Sequence, residues 1–184
     1  ALLPHPPDPE PARANHQARY RSADGTWVWM EGNPQPLHDQ AGNFVGTVNV
    51  LRNITERRAQ AELFETAFQQ AAIGKALVEL DNSLFRVNGT LCAMLGYSEA
   101  QLLSMNGDEL IHPDELGQGN EELDLLAAGQ IGSYTRERRF RKADGGYLWC
   151  GMTIAIARNP DGSPKHYVVE LQDLTERRAA EAKF

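Results

Sequence analysis

The chain has 184 residues, of which 25 are acidic and 18 basic, giving a formal charge of −7. With 41% hydrophobic and 23% charged residues it has a globular rather than a disordered balance. The acidic excess argues against general nucleic-acid binding, which needs a basic face. No apolar run approaches the ~20 residues that span a bilayer, and Ala1-Leu2-Leu3-Pro4 has no basic leader region.

Residues 1–18 form a proline-rich segment in which Pro4, Pro6, Pro7, Pro9 and Pro11 forbid a regular helix. From residue 19 an internal repeat begins. Shifted by 120, residues 19–59 align without a gap on 139–179, with 14 of 41 positions identical. Arg19–Gly25 falls on Arg139–Gly145, Trp29 on Trp149, and Asn53–Ala59 on Asp173–Ala179. In each copy Ala-Asp-Gly between extended runs predicts an antiparallel hairpin. A second turn, Asn159-Pro160-Asp161-Gly162 in the later copy, precedes a last strand over 166–172. The two-residue period puts Leu148, Cys150, Met152, Ile154 and Ile156 on one face, which is predicted to be the core.

Between the copies, Leu63, Phe64, Ala67, Phe68 and Ala71 recur at helical spacing, predicting a connecting helix over 55–72. Short strands are expected at Ala76–Leu80 and Leu84–Val87, around the turn Asp81-Asn82-Ser83. A short helix follows at Asn88–Gly96. Ser98 and Gln101 form a capping-box pattern at the start of another. A further helix is expected over Glu121–Ala128, ended at Gly129. The first copy has no counterpart of residues 62–130, so the sequence reads as beginning inside a domain. His5-Pro6-Pro7-Asp8 faintly echoes His112-Pro113-Asp114.

This order of elements over 72–173 resembles the PAS domain of bacterial signalling proteins. The resemblance rests on Asn88 through Gly96-Tyr97-Ser98, on His112-Pro113-Asp114, and on Asp144-Gly145 followed by Trp149. It rests also on Asp173-Leu174-Thr175-Glu176-Arg177, similar to the family's exit from last strand to signalling helix. It implies an α+β fold with a five-stranded antiparallel sheet and helices on one face. The first copy resembles the C-terminal half of a second such domain, with Asn53 where the family usually has Asp. The expected organisation is a PAS C-terminal half at 19–54, a connecting signalling helix at 55–72, a complete PAS domain at 73–174, and an exit helix from 175 to 184.

The resemblance implies a sensory or regulatory module controlling an output domain beyond residue 184, of histidine kinase or diguanylate cyclase type. The relay residues it singles out are Asn53, Thr55, Glu56, Asp173, Thr175 and Glu176. Thr175 is the expected N-cap of the exit helix, with Glu176 at its positive end. Because such modules commonly pair, the Leu63, Phe64 and Phe68 stripe implies a homodimer through 55–72.

A pocket is expected to be lined by Val78, Phe85, Met94, Leu95, Leu126, Phe140, Met152 and Ile154. No cofactor is the leading expectation, and a flavin held without covalent chemistry stays open. Residues 105–110 lack the cysteine of the family's flavin photochemistry, and 117–130 lack a haem-ligating histidine. Cys92 and Cys150 are too few for a disulfide framework or a four-ligand zinc site and read as small buried residues in a reduced, cytoplasmic setting.

Catalysis by this chain is not expected, since it has no nucleophile elbow, phosphate loop or His-Glu-x-x-His. Arg136-Glu137-Arg138-Arg139 reads either as an anion-receiving strand or as an alternating ion-pair ladder. Three functions therefore stand side by side. A ligand sensor needs a pocket above about 300 Å³. A ligand-free dimerisation and relay scaffold needs a filled core. An enzyme working through the Arg136–Arg141 strand needs convergent acid and base groups.

Overall fold

The computed structural model describes residues 16–181. The proline-rich start with His5-Pro6-Pro7-Asp8, and the last three residues of the expected exit helix, lie outside them. The chain divides into two compact units, 1–64 and 65–184.

The first unit contains β1 (His16–Arg21), β2 (Trp27–Gly32), β3 (Gln35–His38), β4 (Phe44–Val48) and β5 (Leu51–Asn53). They form a three-stranded sheet, β1-β2-β5, and a separate β3-β4 pair. In the second unit β9 (Tyr147–Arg158) and β10 (Pro164–Asp173) run unbroken over the equivalent stretches. The interruption between β2 and β3 has a cause in the sequence. Positions 34 and 36 are proline where the later copy has Ile154 and Ile156, and proline cannot donate to a sheet ladder. The turns are shared: Gly25 and Gly145 have φ of 88° and 85°, and Gly42 and Gly162 have 86° and 85°. Glycine adopts that backbone without strain in both copies.

Helix α1 (Thr55–Gln69) leads from the first unit into the second. It stops short of the predicted residue 72, where carbonyls in and beyond its last turn are claimed elsewhere. Thr90 Oγ1 donates to Ala71 O at 2.7 Å, and Asn88 Nδ2 donates to Phe68 O at 3.1 Å and Ile73 O at 3.0 Å.

The second unit is one five-stranded antiparallel sheet, ordered β7-β6-β10-β9-β8, with β6 Gly74–Val78, β7 Leu84–Val87 and β8 Ser133–Arg141. Between β7 and β8 come α2 (Gly89–Leu95), α3 (Glu99–Leu103), 3₁₀ turns at Gly107–Leu110 and Pro113–Glu115, and α4 (Asn120–Ala127). The caps follow the sequence signals. Asn88 caps α2 and Gly96 ends it at φ 79°, while the Ser98–Gln101 box is closed in both directions. The core joins Leu91, Leu95, Leu102, Leu110 and Leu126 to the inner face of the sheet, where Cys150, Met152 and Leu171 lie. Helix α5 (Thr175–Glu181) leaves from the end of β10.

Candidate functional site

A cavity of about 220 Å³ lies inside the second unit, between the sheet and its helical cover. Its sheet wall follows from strand periodicity. Ala76 and Val78 on β6, Met152 and Ile154 on β9, and Tyr167, Val169 and Leu171 on β10 all point one way, two residues apart. From β8 come Tyr134, Arg138 and Phe140. Leu84 on β7 extends the sheet wall, and Leu91, Leu110 and Leu123 close the other side.

One rim is polar. Asn82, with the positive φ of 71° that Asn tolerates, turns its amide to Asn106 Oδ1 at 3.2 Å and Asp108 Oδ1 at 2.9 Å. Its carbonyl accepts from Gly107 N at 2.9 Å. A side chain at 107 would meet the Asn82 carboxamide at 2.6 Å, so glycine lets the two turns latch. Gln118 and Asn120 add further polar groups at the mouth.

The edge strand β8 is pinned from outside by the His112-Pro113-Asp114 segment. His112 N donates to Arg139 O at 3.0 Å, its Nδ1 accepts from Asp114 N, and its ring lies 4.5 Å from that of Tyr147. Glu115 accepts from both Arg139 N at 2.9 Å and Arg139 Nε at 2.7 Å. Burial pushes Glu115 upward, but the Arg139 bonds and charge outweigh it and hold the carboxyl below its ordinary range. Burial, aided by the Asp173 charge, pushes the Cys150 thiol up to about 12, an inert core position.

Of the residues expected to line a pocket, Val78, Phe140, Met152 and Ile154 border this cavity. Phe85 does not. It is 41% exposed, with its ring 5.3 Å from that of His166, because a register shift between Leu77 and Val78 turns Leu84 inward instead. Leu95 and Leu126 are packed core, and Met94 packs against that core away from the cavity. Sequence reasoning missed Asn82, Asp108, Tyr134, Tyr167 and Val169 as lining groups. It raised Arg138 only within a charged run.

The exit junction is built on the opposite face of the strand that lines the cavity. Leu174 N donates to Trp149 O at 3.0 Å, Leu174 is buried, and its methyls lie against Gly151. Arg178 covers the Trp149 ring at 3.8 Å and reaches Glu137 Oε2 at 3.2 Å. The capping oxygen differs from expectation. Asp173 Oδ1 accepts from Thr175 N at 2.7 Å and from Thr175 Oγ1 at 2.6 Å, so Asp173 caps α5 and Thr175 is its first helical residue.

The first unit repeats this junction. Ile54 N donates to Trp29 O, Arg58 covers Trp29 at 4.0 Å, and Arg58 reaches Gln17, the counterpart of Glu137. With Asn53 in place of aspartate, the Thr55 hydroxyl instead accepts from Trp29 N at 2.8 Å. Glu56 and Glu176 each stand in a first helical turn. On α1, Leu63 and Phe64 are 71% and 51% exposed, whereas Phe68 is buried with Arg86 5.0 Å from its ring. Phe68 therefore does not share an exposed stripe with them.

Two family models match the sequence: the PAS fold over residues 84–169 and the PAS domain over 12–56. The chain belongs to the PAS family. It is 29% identical over 118 residues to a probable diguanylate cyclase, DgcE, of Escherichia coli, covering 64% of this chain and 11% of that protein. It is 21% identical over 176 residues to the sensor histidine kinase TmoS of Ectopseudomonas mendocina, covering 90% of this chain and 18% of the kinase. The chain thus spans under a fifth of either relative.

Among solved structures, a PAS domain from Colwellia psychrerythraea superposes with a TM-score of 0.55 at 17% identity, over 64% of this chain and 99% of that one. A PAS domain of a LuxR-family transcriptional regulator from Burkholderia thailandensis, in complex with ethanol, gives 0.51 at 26% identity over 61% and 97%. The PAS sheet and helical cover are shared. No helix among the described residues is long and apolar enough to cross a membrane.

Proposed function

We propose that the second unit senses a small molecule in its interior cavity and passes the change to α5, which controls an output domain of kinase or cyclase type beyond residue 184. The observation that carries this reading is the two-sidedness of β9. Met152 and Ile154 face the cavity, while Trp149 and Gly151, on the same strand, hold the anchor of the exit helix. A shift of β9 by a bound molecule is felt directly at Leu174 and Arg178. The relay residues in this reading are Asp173, Thr175 and Glu176, with Asn53, Thr55 and Glu56 serving the same role at α1. The homology to a cyclase and a kinase supports the output class, and the ethanol complex of the Burkholderia relative supports a small ligand. Self-association through Leu63 and Phe64 of α1 belongs to the same proposal.

The second reading is a ligand-free dimerisation and relay scaffold, and cavity size favours it. At about 220 Å³ the space falls below the ~300–1,000 Å³ typical of drug-sized ligands. Native mass spectrometry separates the two. The sensor reading predicts a small non-covalent adduct on the purified chain that disappears in Val169→Phe, which fills the cavity. Bare sequence mass, or an adduct that survives Val169→Phe, favours the scaffold.

A further inference from the structure

The cavity contains one charge that its apolar walls do not explain. Arg138 is only 4% exposed, on the inner face of β8 beside Phe140. Its Nε is buried without a hydrogen-bond partner, and no carboxylate among the described residues forms a salt bridge with it. Its neighbours take the nearby carboxylates. Arg136 pairs with Glu122 at 2.7 Å, and Arg139 pairs with Glu115 at 2.7 Å. Asp108, the acidic group on the cavity wall, accepts from the Asn82 amide.

A guanidinium does not deprotonate in proteins, so Arg138 stays a buried cation; the Glu122 carboxylate, already paired with Arg136, is close enough to feel its charge but forms no salt bridge with it. Such a charge is costly unless something completes it. Gly119 shows that its position is built. At φ +95°, a Cβ there would lie 2.7 Å from Arg138 Nη2, 3.3 Å from the Tyr134 hydroxyl and 3.7 Å from Glu122 Oε2, so glycine admits all three head groups beneath the chain. Burial pushes the Tyr134 phenol above its ordinary range, keeping it a hydrogen donor.

We infer that Arg138 and Tyr134 receive the carboxylate of a small organic acid, whose apolar body lies against Val78, Met152, Ile154 and Val169. The planar guanidinium fork matches a carboxylate with two parallel hydrogen bonds. A phosphate brings more charge than one guanidinium and one hydroxyl satisfy in a cavity that also carries the Asp108 carboxylate. The inference rests on the cavity being a ligand site, and it names the class of ligand.

The test is calorimetric titration of the full chain with butyrate and benzoate, each against its own amide, butyramide and benzamide. The wild type is expected to bind each acid at least ~10-fold more tightly than its amide. Arg138→Met is expected to fold with an unchanged or raised melting temperature in the absence of ligand, and to lose the preference while still binding the amides. Tyr134→Phe, a second variant that keeps the strand intact, is expected to reduce the preference several-fold. Equal binding of acids and amides by the wild type would overturn the carboxylate assignment and leave the cavity reading standing. Failure of all four molecules to bind would overturn both.

Discussion

Replacing Asn88 by alanine is expected to destabilise the second unit by about 3–5 kcal/mol, lowering its melting temperature by roughly 10 °C or more. The side chain is fully buried and uses all its main bonding capacity. Its Oδ1 accepts from Lys75 N at 2.8 Å and Leu91 N at 3.0 Å, and its Nδ2 donates to the carbonyls of Phe68 and Ile73. One amide thereby joins the end of α1, the start of β6 and the first turn of α2. Alanine leaves four backbone groups without their partner.

Asn88→Asp discriminates this account from simple loss of a cap. The variant keeps the acceptor but turns a carboxylate oxygen toward two carbonyls, which raises its folded pKa above the unfolded value of about 3.9. A raised folded pKa means the variant is relatively most stable at acid pH and loses that stability as pH rises through the folded value. Thermal melts from acid to neutral pH should show the deficit of Asn88→Asp shrinking at the acid end while that of Asn88→Ala does not. Parallel curves would contradict the four-bond role.

Leu126→Ala is the second large effect, expected to cost about 2–5 kcal/mol. Leu126 has no exposed surface and sits in the packed core, on the last turn of α4, whose end carbonyls are held by Arg158. It does not border the cavity. The melting temperature should therefore fall sharply, while affinity for a cavity ligand, measured where the variant remains folded, stays close to wild type. A loss of affinity matching the loss of stability would place Leu126 in the ligand site.

The same residue shows where sequence legibility ended. The helix over Glu121–Ala128 was expected with Leu126 as its pocket-lining residue, but the rotation of a two-turn helix decides that Leu123 meets the cavity and Leu126 the core. Phe85 fails for a related reason: the parity of β7 is set by a bulge in its pairing with β6, which no local pattern reveals. The repeat, the Asp-Gly turns, the Ser98 box and the inward set on β9 were legible because each is encoded within a few residues. Asn88 was visible as a motif residue, yet three of its four partners lie 13 to 20 residues earlier in the chain. Arg138 looked like one rung of an alternating charged ladder. Only the segments that supply Glu115 and Glu122 to its neighbours leave it without a salt bridge of its own.

In the proposed sensor, the cavity and the exit helix communicate through β9. The most direct measurement of that link is an NMR titration of the chain with a cavity ligand, following the methyls of Met152 and Ile154 together with the amides of Leu174 to Glu181. Both sets are expected to shift along one binding curve, and Asp173→Ala is expected to abolish the amide response while the methyls still move. Methyl shifts without any response at α5 in the wild type would contradict it.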